Sequence, residues 1–271
     1  TYTYIWYSDA ALSLPIGQTN PSATGLLAGT YWVEVTDMNG CPASTSVLVT
    51  EPPALTLSLA ITSDYFGEDV SCNGASDGEI TATVGGGLGT YYYNWYTDPA
   101  YSVPLGQFTS VAINVPAGDY YLRVTDINGC EILADTTLTE PVALDATETV
   151  RTDVSCFGGA DGSVTVVETV GTGIAPYRFS INGGADWQPT GVFNALPAGN
   201  YVVLVEDVNG CSFPVNVTIT QPTPLTASTN STTHVSCNGL SDGAVDVEAT
   251  LASGTAPYQY SIDGGGSWQG T

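Results

Sequence analysis

The sequence predicts an all-β fold, a series of antiparallel β-sandwich repeats set in tandem along an extended rod, and three observations predict it. Nearly the same fifteen residues occur three times, at 27–41, 116–130 and 197–211, and recurrence at a fixed period is the signature of a repeat architecture. Within each copy apolar and polar residues alternate for one strand's length. Tyr31, Val33 and Val35, then Tyr120, Leu122 and Val124, then Tyr201, Val203 and Val205 therefore share one face, as side chains of period two must. Each copy opens on an Ala-Gly turn and closes on Asp-x-Asn-Gly-Cys, ending at Cys41, Cys130 and Cys211, which is hairpin punctuation.

The segment 53–141 shows the elements in order. A first strand is expected over 55–61. A Gly-rich loop at 72–78 then leads to a strand over 79–84 with Ile80, Ala82 and Val84 inward. The next strand, 91–96, places Tyr91, Tyr93 and Trp95 on one face, matched by Tyr2, Tyr4 and Trp6, by Tyr177, Phe179 and Ile181, and by Tyr258, Tyr260 and Ile262. An edge strand over 102–107, a strand over 111–115, the repeated strand and a last strand over 132–139 complete a set of seven. In the later copies Asn182-Gly183-Gly184 and Asp263-Gly264-Gly265 replace the longer 96–106 connection with tight turns.

The landmarks divide the chain into four segments. Residues 53–141 and 142–222 read as complete repeats, 1–52 as the C-terminal half of one and 223–271 as the N-terminal half of another. A half sandwich buries too little core to stand alone, so the chain reads as an internal stretch of a longer array. Thr50-Glu51-Pro52, Thr139-Glu140-Pro141 and Thr220-Gln221-Pro222 close successive units without a Gly/Ser tract, which predicts stiff joints.

Composition narrows the function. Three arginines (Arg123, Arg151, Arg178) and no lysine stand against 27 acidic residues, a formal charge of -24. Such a surface does not neutralise phosphates, so nucleic acid is excluded as a partner, while self-repulsion keeps a long exposed polymer soluble. No apolar run approaches the length of a membrane span, and Thr1 opens without a basic, apolar leader. Catalysis lacks participants: His234 is the one histidine, its counterparts near 68, 69 and 153 are acidic, and there is no nucleophile elbow. The chain is not expected to be an enzyme.

Seven short alternating strands with regularly spaced turns point to a sandwich of immunoglobulin type, with Tyr120 at the position of that fold's tyrosine corner and Trp95 at that of its buried tryptophan. The Val-Ser-Cys-Asn-Gly-x-x-Asp-Gly opening at Cys72, varied to Phe157 in the next copy, resembles that of SprB-type repeats. The Ser-Ile-(Asn/Asp)-Gly-Gly-x-x-Trp-Gln segment, the Pro-Ala-Gly-x-Tyr strand and the Asp-x-Asn-Gly-Cys close resemble them too. That resemblance implies a giant cell-surface adhesin of gliding Bacteroidota, exported by type IX secretion.

Six cysteines at fixed repeat positions fit an oxidising, extracellular setting. Repetition suggests pairing inside each repeat, Cys72 with Cys130 and Cys156 with Cys211, leaving Cys41 and Cys237 unpaired. Zinc would need closely spaced cysteines that the chain lacks. No cofactor is expected, with calcium left open. Asp37, Asp126 and Asp207 in the closing turns and Asp77, Asp161 and Asp242 in the opening loops offer the oxygens that calcium uses. The same residues before Gly are also what a tight turn requires.

Outward Trp32, Tyr92, Tyr96 and Tyr121 are placed to stack on sugars or on a neighbouring filament, or simply to pack across strands. Asn216 and Asn230 begin Asn-x-Thr sequons, and Asp135-Thr136-Thr137 resembles a short O-glycosylation motif. The function expected is a structural and adhesive segment of a long extracellular filament, a stiff spacer that contributes to surface attachment. The competing reading is a module that binds a surface polysaccharide or a protein through its aromatic and acidic faces.

Overall fold

The computed structural model describes residues 1–270, and every regular element among them is a β-strand. Residues 1–52 supply β1 (Thr3–Tyr7), β2 (Gly29–Thr36) and β3 (Pro42–Val49). Residues 53–141 supply β4 (Thr56–Ile61), β5 (Gly78–Gly85), β6 (Tyr91–Tyr96), β7 (Val111–Val115), β8 (Gly118–Asp126) and β9 (Glu131–Leu138). Residues 142–222 supply β10 (Ala146–Thr152), β11 (Gly162–Glu168), β12 (Arg178–Ser180), β13 (Val192–Leu196), β14 (Gly199–Glu206) and β15 (Ser212–Ile219). The remainder holds β16 (Ala227–Thr233), β17 (Ala244–Ala249), β18 (Gln259–Tyr260) and β19 (Gln269–Gly270). Each sheet draws its strands from one of these segments: β1-β2-β3, β4-β5-β7, β6-β8-β9, β10-β11-β13, β12-β14-β15, β16-β17 and β18-β19.

The chain forms two compact units. The first comprises Thr1–Ala60, Thr81–Ala112 and Asp119–Thr136. In it β6 and β8 run antiparallel with Tyr93 opposite Val124 and Trp95 opposite Leu122. The alternation places Tyr120, Leu122 and Val124 inside, with Ala82 and Ala112. Trp95 is 1% exposed, and its indole N–H donates to the Thr109 carbonyl at 2.9 Å. A buried tryptophan needs such a partner, because an unpaired N–H away from water is costly.

The second unit comprises Ile61–Ile80, Ile113–Gly118 and Thr137 onward. Its centre is the sandwich of residues 142–222, an immunoglobulin-like pair of antiparallel sheets. Val164 and Val166 of β11 face Phe179 of β12, Val203 and Val205 of β14, and Val215, Val217 and Ile219 of β15, with Ala146, Val154 and Leu196 closing the core. The tyrosine corner is present: the Tyr201 hydroxyl donates to the Pro197 carbonyl at 2.8 Å. Tyr31 repeats it on Leu27 in the first unit at 3.1 Å.

Two expectations are corrected. The complete repeats have six strands, because 102–107 forms no strand. It lies along β6 through a bridge from Pro104 to Tyr96 and bonds between Leu105 and Trp95 and between Trp95 and Gln107. The Asp98 carboxylate bends its start by accepting the amide N–H of Ser102 and Val103, so too few residues remain extended. Ile262, read as inward, is 89% exposed. Its strand β18 ends at Tyr260, where the Ser261 hydroxyl starts a turn by accepting the Gly265 amide.

Phe179 is 4% exposed at the centre of the sandwich, whereas Val202 on the opposite face of β14 is 46% exposed. Phe179→Ala is expected to destabilise residues 142–222 by about 3–5 kcal/mol through lost transfer and a cavity. Val202→Ala is expected to change stability by about 0.5 kcal/mol or less. Calorimetry of the two variants checks the ordering.

Candidate functional site

The second unit brings together two motifs from successive repeats, the Val-Ser-Cys opening loop of one and the Asp-x-Asn-Gly-Cys closing turn of the next. The opening loop is closed by its own aspartate. Asp77 Oδ1 accepts the amide N–H of Ser71 at 3.0 Å, and Asp161 and Asp242 do the same for Ser155 and Ser236 at 3.0 Å. The loop is then fastened to the end of its repeat. Asp69 Oδ2 accepts both the amide N–H and the hydroxyl of Thr139, at 2.7 and 2.8 Å. Glu140 Oε2 accepts the Gly74 amide at 2.7 Å, and Asn73 donates to the Pro141 carbonyl. The next repeat repeats this with Asp153 on Thr220 and Gln221 on Gly158. Glutamate and glutamine interchange in the Thr-(Glu/Gln)-Pro marker because the site asks only for an oxygen acceptor.

The closing turn is built by its aspartate as well. Asp207 Oδ1 accepts the amides of Asn209 and Cys211, each at 3.0 Å, and Oδ2 accepts that of Ile174. Gly210 takes φ +87°, a conformation side chains resist. The Asn209 side chain is thereby left to reach the other motif, where Nδ2 donates to the Ser71 carbonyl at 3.1 Å and to Tyr65 at 3.4 Å. Beside it Cys72 and Cys211 form a disulfide, with Cα atoms 5.7 Å apart and a sequence separation of 139.

This corrects the expected pairing of Cys72 with Cys130 and of Cys156 with Cys211. Cys130 and Cys156 are exposed thiols, as are Cys41 and Cys237. Cys156 precedes β11 in a loop fastened to Thr220 and Gln221, whereas the Cys211 turn is tied through Asp207 to Ile174, beyond the far end of β11. A seven-residue strand is about 23 Å long, and disulfide Cα atoms lie within about 7 Å. The two cysteines of one sandwich therefore sit at opposite ends of it, and the bond forms between successive repeats.

Each of the six aspartates considered as calcium ligands has an oxygen engaged by a backbone amide. Asp37 and Asp126 hold the same amides in their turns that Asp207 holds in its own, and Asp126 also holds Leu88. Among the described residues no three His, Cys, Asp or Glu side chains gather to hold a metal. The bonds from Cys41 and Cys130 hold the carboxyls of Asp37 and Asp126 below the usual carboxylate range. Bonds from Ser155 and Ser236 do so for Asp161 and Asp242. At Asp77 burial opposes ionisation, and the Ser71 bonds outweigh it.

Two of the four outward aromatics, Tyr96 and Tyr121, are occupied. Tyr101 stands edge-on to Tyr96 and Tyr121, with centroids 5.4 and 6.0 Å away, and the Arg123 guanidinium lies over Tyr96 and Tyr101. Arg178 lies over Trp187 at 4.6 Å and pairs with Glu206. Trp32 is half-buried, and Tyr92 is 56% exposed. Asn216 on β15 and Asn230 on β16 are exposed, Thr136 is half-buried, and His234 is exposed. The sequence reading missed Asn209, Asp69 and Glu140. Their signal was the repetition of Asn39, Asn128 and Asn209 and of the Thr-(Glu/Gln)-Pro marker.

Two outcomes follow from this geometry. A carboxylate whose pKa folding lowers stabilises fully above its ordinary value of 3.8 and loses that contribution as pH falls through the lowered value. Asp126→Ala is therefore expected to melt below the parent at pH 6, with the gap closing under acid; a gap unchanged by pH would contradict the ionised bonds. The Cys72–Cys211 bond closes a 139-residue loop, which on the chain-entropy model contributes about 5 kcal/mol. Reduction is expected to lower the calorimetric midpoint in the parent and to leave a Cys72→Ser variant unmoved.

Comparison with known proteins agrees with the motifs. The family model described as "SprB repeat" matches residues 67–100, 149–186 and 229–267. No match is found among curated proteins. Among solved structures, the N-terminal eight Ig domains of Down Syndrome Cell Adhesion Molecule (DSCAM) are 12% identical, over 85% of this chain and 33% of that one, with a TM-score of 0.31. The complex of Dpr2 Ig1-Ig2 with DIP-Theta Ig1-Ig3 is 9% identical, over 82% and 90%, at 0.27. Drosophila OTK extracellular domains 3-5 are 11% identical, over 82% and 86%, at 0.25. At these scores the likeness carries nothing beyond the strands and cores described above. The chain thus carries SprB-repeat matches at three successive places, each spanning one copy of the opening loop and the strand after it.

Proposed function

We propose that this segment is a spacer in an extracellular, adhesin-type surface protein, one stretch of a longer array of like repeats whose reach serves attachment or gliding. The observation that carries the reading is the disulfide from the opening loop of one repeat to the closing turn of the next. A covalent bond placed between repeats stiffens their succession and resists pulling, which a spacer needs and an isolated binding module does not. Disulfides persist in oxidising, extracellular settings, in keeping with surface exposure. The acidic composition supports the same role by discouraging lateral collapse.

The competing reading, a polysaccharide- or protein-binding module, draws on the outward aromatics. Of those rings Tyr96 and Tyr121 are engaged with Tyr101, and Tyr96 also with Arg123, while Tyr92 is 56% exposed and offers the face this reading needs. Neighbouring filaments remain the partners the spacer reading admits, through exposed edges and loops.

Deleting residues 53–222 from the full-length protein separates the two. A spacer loses length: filaments seen by electron microscopy on intact cells should shorten while attachment persists at reduced reach. Loss of attachment by filaments of unchanged length would overturn the proposal in favour of the binding module.

A further inference from the structure

The bond between Cys72 and Cys211 joins two motifs, and the chain holds both motifs again at its four exposed cysteines. On the opening side, Val-Ser-Cys recurs at Cys156 and Cys237. Asp161 and Asp242 there pin the serine amide as Asp77 pins that of Ser71, whose carbonyl Asn209 reaches, so the three loops are closed by the same bond. On the closing side, Asp-x-Asn-Gly-Cys recurs at Cys41 and Cys130. Asp37 and Asp126 there hold the same pair of amides as Asp207, and Gly40 and Gly129 take φ +84° and +83° beside +87° at Gly210. The halves of the observed junction are thus preformed at each exposed thiol, with Asn39 and Asn128 in the position of Asn209.

We propose that the disulfides of this array are offset by one repeat throughout: the opening-loop cysteine of each repeat bonds to the closing-turn cysteine of the repeat that follows. Cys156 and Cys237 take the closing cysteines of like repeats after their own, and Cys41 and Cys130 take the opening cysteines of like repeats before theirs. The inference rests on the reading of the segment as part of a longer array. Each bond forms by thiol–disulfide exchange. The two thiols give up two protons and two electrons to the disulfide of an exchange catalyst, which leaves as a dithiol.

The offset has a mechanical consequence that pairing within a repeat lacks. Pairing Cys72 with Cys130 and Cys156 with Cys211 would leave 131–155 and 212–236 outside every loop. Under tension those stretches would lengthen by up to about 3.5 Å per residue. Offset loops overlap instead, since a loop beginning at Cys156 starts inside the one that closes at Cys211. Every residue then lies within at least one closed loop, and a pull on the array meets a sulfur–sulfur bond at each junction.

Non-reducing peptide mapping of the full-length secreted protein, with free thiols alkylated first, tests this independently of attachment. The expected result is Cys72 linked to Cys211, Cys156 linked to an Asn-Gly-Cys peptide of the following repeat, and Cys130 linked to a Val-Ser-Cys peptide of the preceding one. A Cys156→Ser variant should add one alkylated thiol, on the closing turn of the following repeat, while Cys211 stays bonded. Cys156 linked to Cys211, alkylation of Cys130 or Cys156 in the parent, or alkylation of Cys211 in the variant would each overturn the offset. Filaments that fail to shorten on deletion would instead count against the spacer alone.

Discussion

The structure depends on carboxylates that accept backbone amides. Sandwiches of this size are strand and turn with little else, so the hydrogen bonds that strands leave unmade at their ends must be found locally. Asp207, Asp126 and Asp37 each take two amides of the closing turn, and Asp77, Asp161 and Asp242 close the opening loops. Much of the acidity is accounted for this way. An ionised oxygen makes a stronger bond to an N–H than a neutral one does, and a turn built so needs no cation. The same bonds explain how the loops come to be rigid enough to meet another repeat in register.

Strand faces were legible because period two is a local property. Tyr120, Leu122, Val124, Val203 and Val205 could be placed inward without knowing what they touch. The tyrosine corner was read at Tyr120, and its hydroxyl bond is seen at the equivalent positions Tyr31 and Tyr201, each closing back on the residue before its Ala-Gly turn. The cysteine pairing was not legible, because it depends on which end of the sandwich a loop occupies. Passing from Cys156 to Cys211 the chain runs along β11, β12, the return that bridges Gln188 to Phe179, β13 and β14. That is an odd number of passes, which puts the two cysteines at opposite ends. The edge segment 102–107 was misread because extended sequence alone does not show that Asp98 bends it.

The three arginines show how sparingly positive charge is used. Arg151 sits between Glu148 and Asp153, Arg178 between Glu206 and the Trp187 ring, and Arg123 over Tyr96 and Tyr101. Two of them cover aromatic rings on outward faces. Cation–π contacts of this kind bury part of an exposed ring without an apolar neighbour, so guanidinium covers part of the aromatic surface there. An exposed sheet edge is an aggregation hazard. Charge over the rings and a strongly negative remainder oppose that outcome.

The placement of the disulfide follows from where a small sandwich is weak. Its interior is satisfied: Val203 and Val205 are fully buried between two sheets, and the core continues through Val215, Val217 and Ile219. At the junction Asn209 reaches two carbonyls of the loop. Hydrogen bonds of that kind contribute about 1 kcal/mol each and exchange readily with water, too little to keep repeats in succession under a pull. The disulfide adds covalent strength at that point, and the Asn209 contacts lie beside the two cysteines. Covalent strength at the junction and burial within the sandwich thus divide the work.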